Sequence, residues 1–256
     1  MLLGIQKCLI LCTDTEQNAV FNMEKPALLL LHGALGTKRQ LEPIKEFLLE
    51  QFDMYDFNFS GHGGDNSNEP FSIELFTQNV IDFMAANRLL RTSIFGYSMG
   101  GYVALNLAIK YPELVDRVVT YGTKFDWTEA SAEKEVKMLN PDVIKEKVPK
   151  FAEKLKNDHF PSDWKILMNK TAQMMLNLGG GEKISEAEFS KIQHNVTIGV
   201  GLEDTMVTVE ESKHVASLIT RAKMIELPQQ PHLLERVDME VISALIVESG
   251  KDLFDN

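Results

Sequence analysis

Apolar and polar positions follow strand-like and helix-like periods in turn along most of the chain. Residues 27–31 are a continuous apolar run, the pattern of a short strand buried on both faces. Comparable strand patterns recur at 53–59, 92–97, 117–121, 196–200 and 224–227. Helical spacing of apolar residues follows most of these strands. The resulting order of βαβαβαβ, an insertion and βαβα predicts an α/β fold with a mostly parallel central sheet and helices on both faces.

Two helix starts are marked by polar residues three positions apart. Thr37 and Gln40 have the spacing of a capping box, which predicts a helix that begins there. Thr208 and Glu211 repeat this spacing ahead of a later predicted helix.

The pattern changes between residues 126 and 190. This stretch is helical, charged and rich in methionine, and it contains no convincing pattern of a buried strand. We therefore expect residues 1–125 and 191–256 to form one α/β core, with residues 126–190 as a helical insertion.

Composition and charge narrow the class of partner. The chain carries a formal net charge of -11, which repels phosphate backbones and anionic membrane faces, so nucleic acid is not expected as a partner. Hydrophobic residues make up 44%, an ordinary value for a globular protein. No run approaches the roughly 20 apolar residues of a membrane span. No cluster of side chains has metal-ligand spacing, so no metal is expected.

The first twelve residues are fairly apolar, and an opening β-strand is the favoured interpretation. A signal peptide would need a basic segment before the apolar run and a small-residue cleavage site after it, and neither is present. On one strand Cys8 and Cys12, the two cysteines of the chain, would lie about 13 Å apart, beyond disulfide reach. A reduced, cytoplasmic setting is therefore predicted.

The sequence Gly96-Tyr97-Ser98-Met99-Gly100 supplies the candidate nucleophile. It matches G-x-S-x-G and lies between a predicted strand and a predicted helix, the context of a sharp strand-to-helix turn. Such a turn strains the serine backbone and leaves no room for side chains at the two glycines. The helix N-terminus also supplies positive partial charge where an oxyanion would develop. A helix-capping serine beside packing glycines is the alternative interpretation.

Three further motifs accompany the serine motif in a consistent order. They are Leu31-His32-Gly33-Ala34, Phe59-Ser60-Gly61-His62-Gly63 and Gly201-Leu202-Glu203-Asp204-Thr205-Met206-Val207. Together the motifs span most of the chain. With them the chain resembles the α/β-hydrolase family, in the branch of small lidded esterases and related C–C bond and thioester hydrolases.

The resemblance implies a catalytic triad. Ser98 would be the nucleophile, and His232, on the loop after the last predicted strand, would be its base. Asp204 would be the acid that orients the base, in the order expected for this fold. Glu203 is the nearest competitor for the acid, and Asp126 is a more distant one. An aspartate that merely caps the next helix is the alternative interpretation.

The resemblance also implies an oxyanion hole built from two backbone N–H groups. One belongs to Met99, the residue after the nucleophile, and the other to Ala34, which follows the His-Gly pair. Leu35 stays open as an alternative to Ala34, because the register of this loop is not determined by the sequence. His32 and His62 are expected to have structural roles, as in similar proteins.

By the same resemblance, the insertion at 126–190 would be a lid over the active site. Its candidate substrate-binding residues are Phe160, Trp164, Met168, Met174 and Met175. Methionine adapts to irregular apolar ligands, although such stripes more often form the core of a lid.

These inferences predict an enzyme, a carboxylesterase-like serine hydrolase that cleaves a small ester or thioester through an acyl-enzyme. Serine at the nucleophile position disfavours the dehalogenases and epoxide hydrolases of similar fold, which use aspartate. C–C bond hydrolysis or a lyase reaction on the same triad stays open, as does a non-catalytic ligand receptor. No cofactor is expected, the partner is the small-molecule substrate, and a homodimer is left open.

Overall fold

The computed structural model of the protein describes residues 25–250, in which six strands form one sheet with every neighbouring pair parallel. The strands are β1 (Ala27–Leu31), β2 (Asp53–Asp56), β3 (Thr92–Tyr97), β4 (Val115–Tyr121), β5 (Asn195–Gly201) and β6 (Ala222–Leu227). Their order across the sheet is β2-β1-β3-β4-β5-β6. The predicted parallel sheet is therefore confirmed. The predicted opening strand and the two cysteines, Cys8 and Cys12, lie outside the described residues.

Helices connect the strands and cover both faces of the sheet. They are α1 (Glu42–Leu48), α2 (Ile73–Ala86), α3 (Met99–Lys110), α4 (Glu129–Val136), α5 (Pro141–Lys147), α6 (Pro149–His159), α7 (Trp164–Asn177), α8 (Glu186–Phe189), α9 (Val209–Leu218) and α10 (Met239–Glu248). Each parallel crossover thus carries at least one helix, as a parallel sheet requires.

Strand β1 illustrates why a continuous apolar run is buried on both faces. Successive side chains of a strand point to opposite sides of the sheet. Leu29 and Leu31 join the apolar cluster that includes α2 and α3, whereas Leu28 and Leu30 join the cluster that includes α1 and α10. All four side chains are almost completely buried, so the strand has no face that could be polar.

The parallel arrangement brings the carboxyl ends of the strands to one edge of the sheet. At this edge β1 leads to Ala34, and β3 leads to Ser98. Farther along the same edge β5 leads to Asp204, and β6 leads to His232. Residues that are far apart in the sequence therefore start from one side of the sheet, where open α/β folds bind their ligands.

Strand β2 is shorter than the alternation of residues 53–59 predicted, and it ends at Asp56. Beyond that residue the aromatic side chains pack on helix α2 instead of continuing a strand. Phe57 stacks on Phe83 with ring centroids 4.7 Å apart, and Phe59 lies 5.0 Å from Phe76. Phe57 and Phe59, two positions apart, therefore both contact a helix, and this spacing imitates the period of a strand.

The two predicted capping boxes differ in outcome. A helical turn does begin after Thr37, as a 3-10 helix over Lys38–Leu41 that leads into α1, but the predicted capping box is absent because the Thr37 side chain makes no capping bond. The side-chain oxygen of Gln40 instead accepts the N–H of Gly33 at 3.4 Å, so it is drawn to the neighbouring loop. At the later site Thr208 Oγ1 does accept the N–H of Glu211, at 3.1 Å.

Helices α4 to α8 occupy the connection between β4 and β5. Part of this segment packs on an apolar cluster of its own, formed by Ile144, Ala152, Leu155, Trp164 and Met168. Another part joins the main core through residues such as Met174 and Leu178. The division of the chain at residues 126 and 190 stays a prediction. Within residues 25–250, no helix combines the length and the apolarity that crossing a bilayer requires.

Candidate active site

Ser98 lies on a sharp turn between β3 and α3. Its backbone angles are φ 51° and ψ -115°, a region that residues other than glycine rarely adopt. A Cβ atom on Gly96 would overlap the backbone of Gly100, and one on Gly100 would overlap the backbone of Leu31. Both glycines are therefore required by close backbone approach, for the reason predicted from the motif.

The end of the neighbouring strand β4 holds this turn in place. The N–H of Ser98 donates to the carbonyl of Tyr121 at 2.9 Å, and Thr123 Oγ1 donates to the carbonyl of Ser98 at 3.0 Å. Surrounding bonds of this kind allow a strained conformation to persist. Met99 begins α3, and its N–H has no acceptor among the described backbone bonds, whereas the N–H of Gly101 donates to the carbonyl of Ser98 at 3.0 Å.

Asp204 and His232 form a hydrogen-bonded pair. The distance from His232 Nδ1 to Asp204 Oδ2 is 2.8 Å. The carboxylate side chain has no exposed surface, and its second oxygen, Oδ1, accepts the N–H groups of Met206 and Val207 at 2.8 Å each. Because a carboxylate only accepts hydrogen bonds, the pair holds the proton on Nδ1 and leaves Nε2 with a free lone pair.

Two tyrosines fix the backbone of the loop that carries His232. The hydroxyl of Tyr97 donates to the carbonyl of His232 at 3.1 Å, and that of Tyr121 donates to the carbonyl of Pro231. Burial raises the pKa of both tyrosines, so both hydroxyls remain donors. Sequence reasoning missed them. Their signal is a tyrosine as the last residue of β3 and again as the last residue of β4.

One cavity of about 510 Å³ brings together Ala34, Ser98, Met99 and His232. Leu35, the alternative to Ala34, does not line it. The remaining lining is mostly apolar and consists of Ile73, Tyr102, Lys124, Trp127, Glu135, Met174, Met175, Leu178, Met206 and Val207. The residues predicted as nucleophile, base and oxyanion donors therefore line one pocket whose other residues are mostly apolar.

The five predicted lid contacts do not all reach this cavity. Met174 and Met175, near the end of α7, line it. Trp164 and Met168 lie earlier on the same helix and are buried in the cluster that the lid helices form among themselves. Phe160 follows α6 and is 76% exposed. The structure therefore brings only two of the five to the cavity, because the beginning of α7 packs against α5 and α6 and its end reaches the cavity.

A buried ion pair closes one wall of the cavity. Lys124 Nζ lies 3.6 Å from Glu135 Oε1, with side chains 15% and 5% exposed. The ammonium group also donates to the carbonyl of Met206 at 3.3 Å and lies 5.8 Å from the centre of the Trp127 ring. Lys124, Glu135 and Met206 line a second, open groove as well, so the pair separates the cavity from that groove. The sequence signal that was missed is a lysine just beyond the end of β4.

His32 has a structural role. Its Nδ1 donates to the carbonyl of Gly33 at 2.9 Å, and its Nε2 accepts the N–H of Phe59 at 3.2 Å. Burial lowers the pKa of His32 to about 4, so the ring is neutral. His62 is also fully buried, and burial lowers its pKa well below the usual value. Both rings stabilise the loops around the site and do not line the cavity.

The two competitors for the acid lie elsewhere. Glu203 and Asp126 are exposed, and neither is hydrogen-bonded to His232 among the described contacts. Among residues 25–250, no group of three or more histidine, cysteine, aspartate or glutamate side chains is arranged to hold a metal ion.

Curated proteins of similar sequence each match part of the chain. An uncharacterized protein of Mycobacterium tuberculosis is 30% identical over 95 residues, which cover 37% of this chain and 28% of that protein. A probable alcohol acetyltransferase of Cyberlindnera fabianii is 32% identical over 98 residues, 37% of this chain and 26% of its own. The chain thus matches less than a third of the length of these curated relatives.

The fold likeness extends over almost the whole chain. The structure of a serine hydrolase from Cycloclasticus zankles superimposes with a TM-score of 0.75 at 18% identity, covering 91% of this chain and 92% of that one. The alpha/beta hydrolase fold family matches residues 26–178, more than half of the sequence. The chain belongs to the α/β-hydrolase fold family.

Proposed function

We propose that this protein is a carboxylesterase-like serine hydrolase that cleaves a small ester or thioester through an acyl-enzyme on Ser98. The observation that carries the proposal is the 2.8 Å pair between Asp204 and His232, whose imidazole lines the same cavity as the Ser98 hydroxyl. Membership of a hydrolase fold family supports the same class of reaction.

In the first half of the reaction, the Oγ of Ser98 attacks the carbonyl carbon of the substrate. His232 Nε2 takes the hydroxyl proton, and the negative charge of Asp204 stabilises the resulting imidazolium. When the tetrahedral intermediate collapses, the bond to the leaving alcohol or thiol breaks and His232 protonates that group. In the second half, water attacks the acyl-enzyme with the same proton transfers, which releases the acid and restores Ser98.

The negative charge of the tetrahedral intermediate needs donors that are already in place. We assign the N–H groups of Met99 and Ala34, because both residues line the cavity beside Ser98 and Leu35 does not. Each such donor typically contributes about 2.7–4 kcal/mol to the transition state. The N-terminus of α3 adds positive partial charge at the same place.

The cavity favours an apolar acyl group. Apart from Ser98 and His232, most of its lining is aliphatic, aromatic or thioether, including Met174, Met175 and Leu178. The ion pair of Lys124 and Glu135 limits how far an acyl chain extends in that direction.

Turnover of short p-nitrophenyl esters by the wild type and by Ser98→Ala tests the proposal. We expect hydrolysis by the wild type and loss of nearly all of it in the variant, because no other hydroxyl replaces the nucleophile. Ser190→Ala, on the exposed end of α8, is the matched control and should keep the wild-type rate. A fluorophosphonate probe should label the wild type at Ser98 only.

The proposal fails if Ser98→Ala keeps the wild-type rate while its far-UV spectrum is unchanged. A wild-type protein that turns over no ester but binds a small molecule tightly would favour a ligand receptor. Two of the curated relatives are named as probable alcohol acetyltransferases. Ethanol added to the same assay therefore separates hydrolysis from acyl transfer, because transfer would produce an ethyl ester in place of the free acid.

A further inference from the structure

The ring of His159 lies between two loops of the core, although the residue belongs to a lid helix. His159 is the last residue of α6, and its side chain has no exposed surface. Its Nδ1 accepts the N–H of Gly63 at 3.0 Å, and its Nε2 donates to the carbonyl of Leu35 at 3.1 Å. Because an N–H only donates and a carbonyl only accepts, both ring nitrogens are committed in one neutral tautomer.

Leu35 is the residue after Ala34, the proposed oxyanion donor. Its φ of 58° lies in the left-handed region, which is unusual for a leucine. The Leu35 side chain packs against the apolar cluster of the lid, and the Leu35 carbonyl accepts its hydrogen bond from the lid residue His159. The side chain of Leu35 also packs against the main core, so the lid shares the side chain with the core but supplies the bond to the backbone carbonyl.

The lid is also docked on the core through contacts that do not involve Leu35. Ser162 Oγ lies 2.9 Å from the carbonyl oxygen of Asp65 and 2.8 Å from Asn66 Oδ1, and its single proton can be donated to either. Lys170 Nζ donates to the carbonyl of Ser67 at 2.7 Å. Removing the ring of His159 thus leaves these contacts in place. The Leu35 carbonyl, by contrast, would lose its hydrogen bond, because His159 is its donor among the described hydrogen bonds.

We propose that His159 is a positioning residue that couples lid docking to the oxyanion hole, because its bond to the Leu35 carbonyl fixes the loop that aims the Ala34 N–H at the substrate. This inference rests on the proposed function, since it needs the Ala34 N–H as a donor. His159 does not line the cavity and so acts through Leu35. Hydrolysis would then require the docked lid, and an open lid would leave the site with a misplaced donor.

Two amide substitutions separate the two bonds of the ring. In His159→Asn, the amide oxygen replaces Nδ1 and can accept the N–H of Gly63, but no group reaches Leu35. In His159→Gln, the amide nitrogen lies near the position of Nε2 and can donate to the Leu35 carbonyl. We expect His159→Asn to lower kcat about 10- to 100-fold with little change in KM, because a displaced donor weakens only transition-state binding. His159→Gln should retain most of kcat.

Ser162→Ala is the matched control, because it removes a hydroxyl that contacts the loop at Asp65 and Asn66 while the bonds of Lys170 and His159 keep the lid docked. It should keep the wild-type kcat, and thermal unfolding of all variants should verify that they are folded. The inference is overturned if His159→Asn and His159→Gln have equal kcat, if Gln is the more damaging change, or if Ser162→Ala loses as much kcat as His159→Asn.

The same assay separates this failure from failure of the proposed function. If turnover requires Ser98 but is the same with histidine, asparagine or glutamine at position 159, only the proposed role of His159 is refuted. Turnover that survives Ser98→Ala, or a wild type without esterase activity, removes the proposed function, and this inference is refuted with it.

Discussion

Acid should destabilise this fold through its buried histidines, and His32 is the clearest case. Its ring has no exposed surface, and both nitrogens are hydrogen-bonded, to the carbonyl of Gly33 and to the N–H of Phe59. A second ring proton would point at the Phe59 N–H, which cannot accept it. Burial accordingly lowers the pKa of His32 from 6.5 to about 4.

The size of the effect follows from the two pKa values. The unfolded chain takes up the proton near pH 6.5 and the folded chain only near pH 4, so the free energy of unfolding decreases as the pH falls through this window. At about 1.36 kcal/mol for each pH unit, His32 alone removes about 3 kcal/mol by pH 4. Above pH 6.5 its contribution to stability is fully retained. Burial also lowers the pKa of His62 and of His159, which therefore act in the same direction.

Urea unfolding, followed by circular dichroism between about pH 7 and pH 4, measures this dependence. His32→Gln is the informative variant, because an amide can donate and accept hydrogen bonds but does not titrate in this range. We expect the variant to be less stable at neutral pH but to lose about 3 kcal/mol less than the wild type on acidification. Most other titrating groups are common to both proteins and cancel. Removing the charge of His32 also lets the pKa of His62 rise toward its usual value, which acts in the same direction. Equal pH slopes for the two proteins would refute the claim that burial keeps His32 neutral.

Two further predictions concern the cavity. Asp204→Asn should lower kcat on p-nitrophenyl acetate by about 10⁴-fold with the fold intact, because an amide N–H facing His232 favours the wrong ring tautomer. Glu203 is an exposed carboxylate beside it, and Glu203→Gln should leave kcat unchanged. Lys124→Met should reduce the free energy of unfolding by about 3–5 kcal/mol, because it leaves the buried carboxylate of Glu135 unpaired. Adding Glu135→Leu to this variant should restore its stability, measured by urea unfolding, and should raise kcat/KM for esters with longer acyl chains. An unchanged chain-length preference would show that the Lys124–Glu135 pair does not limit the cavity.

The fold could be predicted because its main signals are local. The apolar run at β1 and the serine motif between β3 and α3 each describe only a few neighbouring residues. A parallel sheet then brings every strand end to one edge, so the meeting of the Ser98, Asp204 and His232 loops follows from topology. The capping box predicted at Thr37 is absent because the loop just before the helix, at Gly33, competes for the side chain of Gln40.

The lining of the cavity could not be predicted in the same way. Helical spacing shows which residues of α7 share a face, but it does not show what that face contacts. Trp164 and Met168 pack in the apolar cluster of α5, α6 and α7, whereas Met174 and Met175 line the cavity, although all four belong to one helix. The pairing of Lys124 with Glu135 could not be predicted either, because nothing in the sequence around either residue identifies its partner.

Leu35 shows why the lid and the oxyanion hole have to be considered as one structure. A leucine with φ of 58° adopts a conformation that its own sequence disfavours by roughly 1–3 kcal/mol, so something outside the loop has to stabilise it. The bond from His159, 124 positions away, supplies part of that stabilisation, and the partly buried Leu35 side chain packs on both the main core and the cluster of α5, α6 and α7. Without the bond from His159 we expect the loop to relax and the N–H of Ala34 to move with it. The proposed oxyanion site would then depend on the helical insertion as well as on the sheet edge.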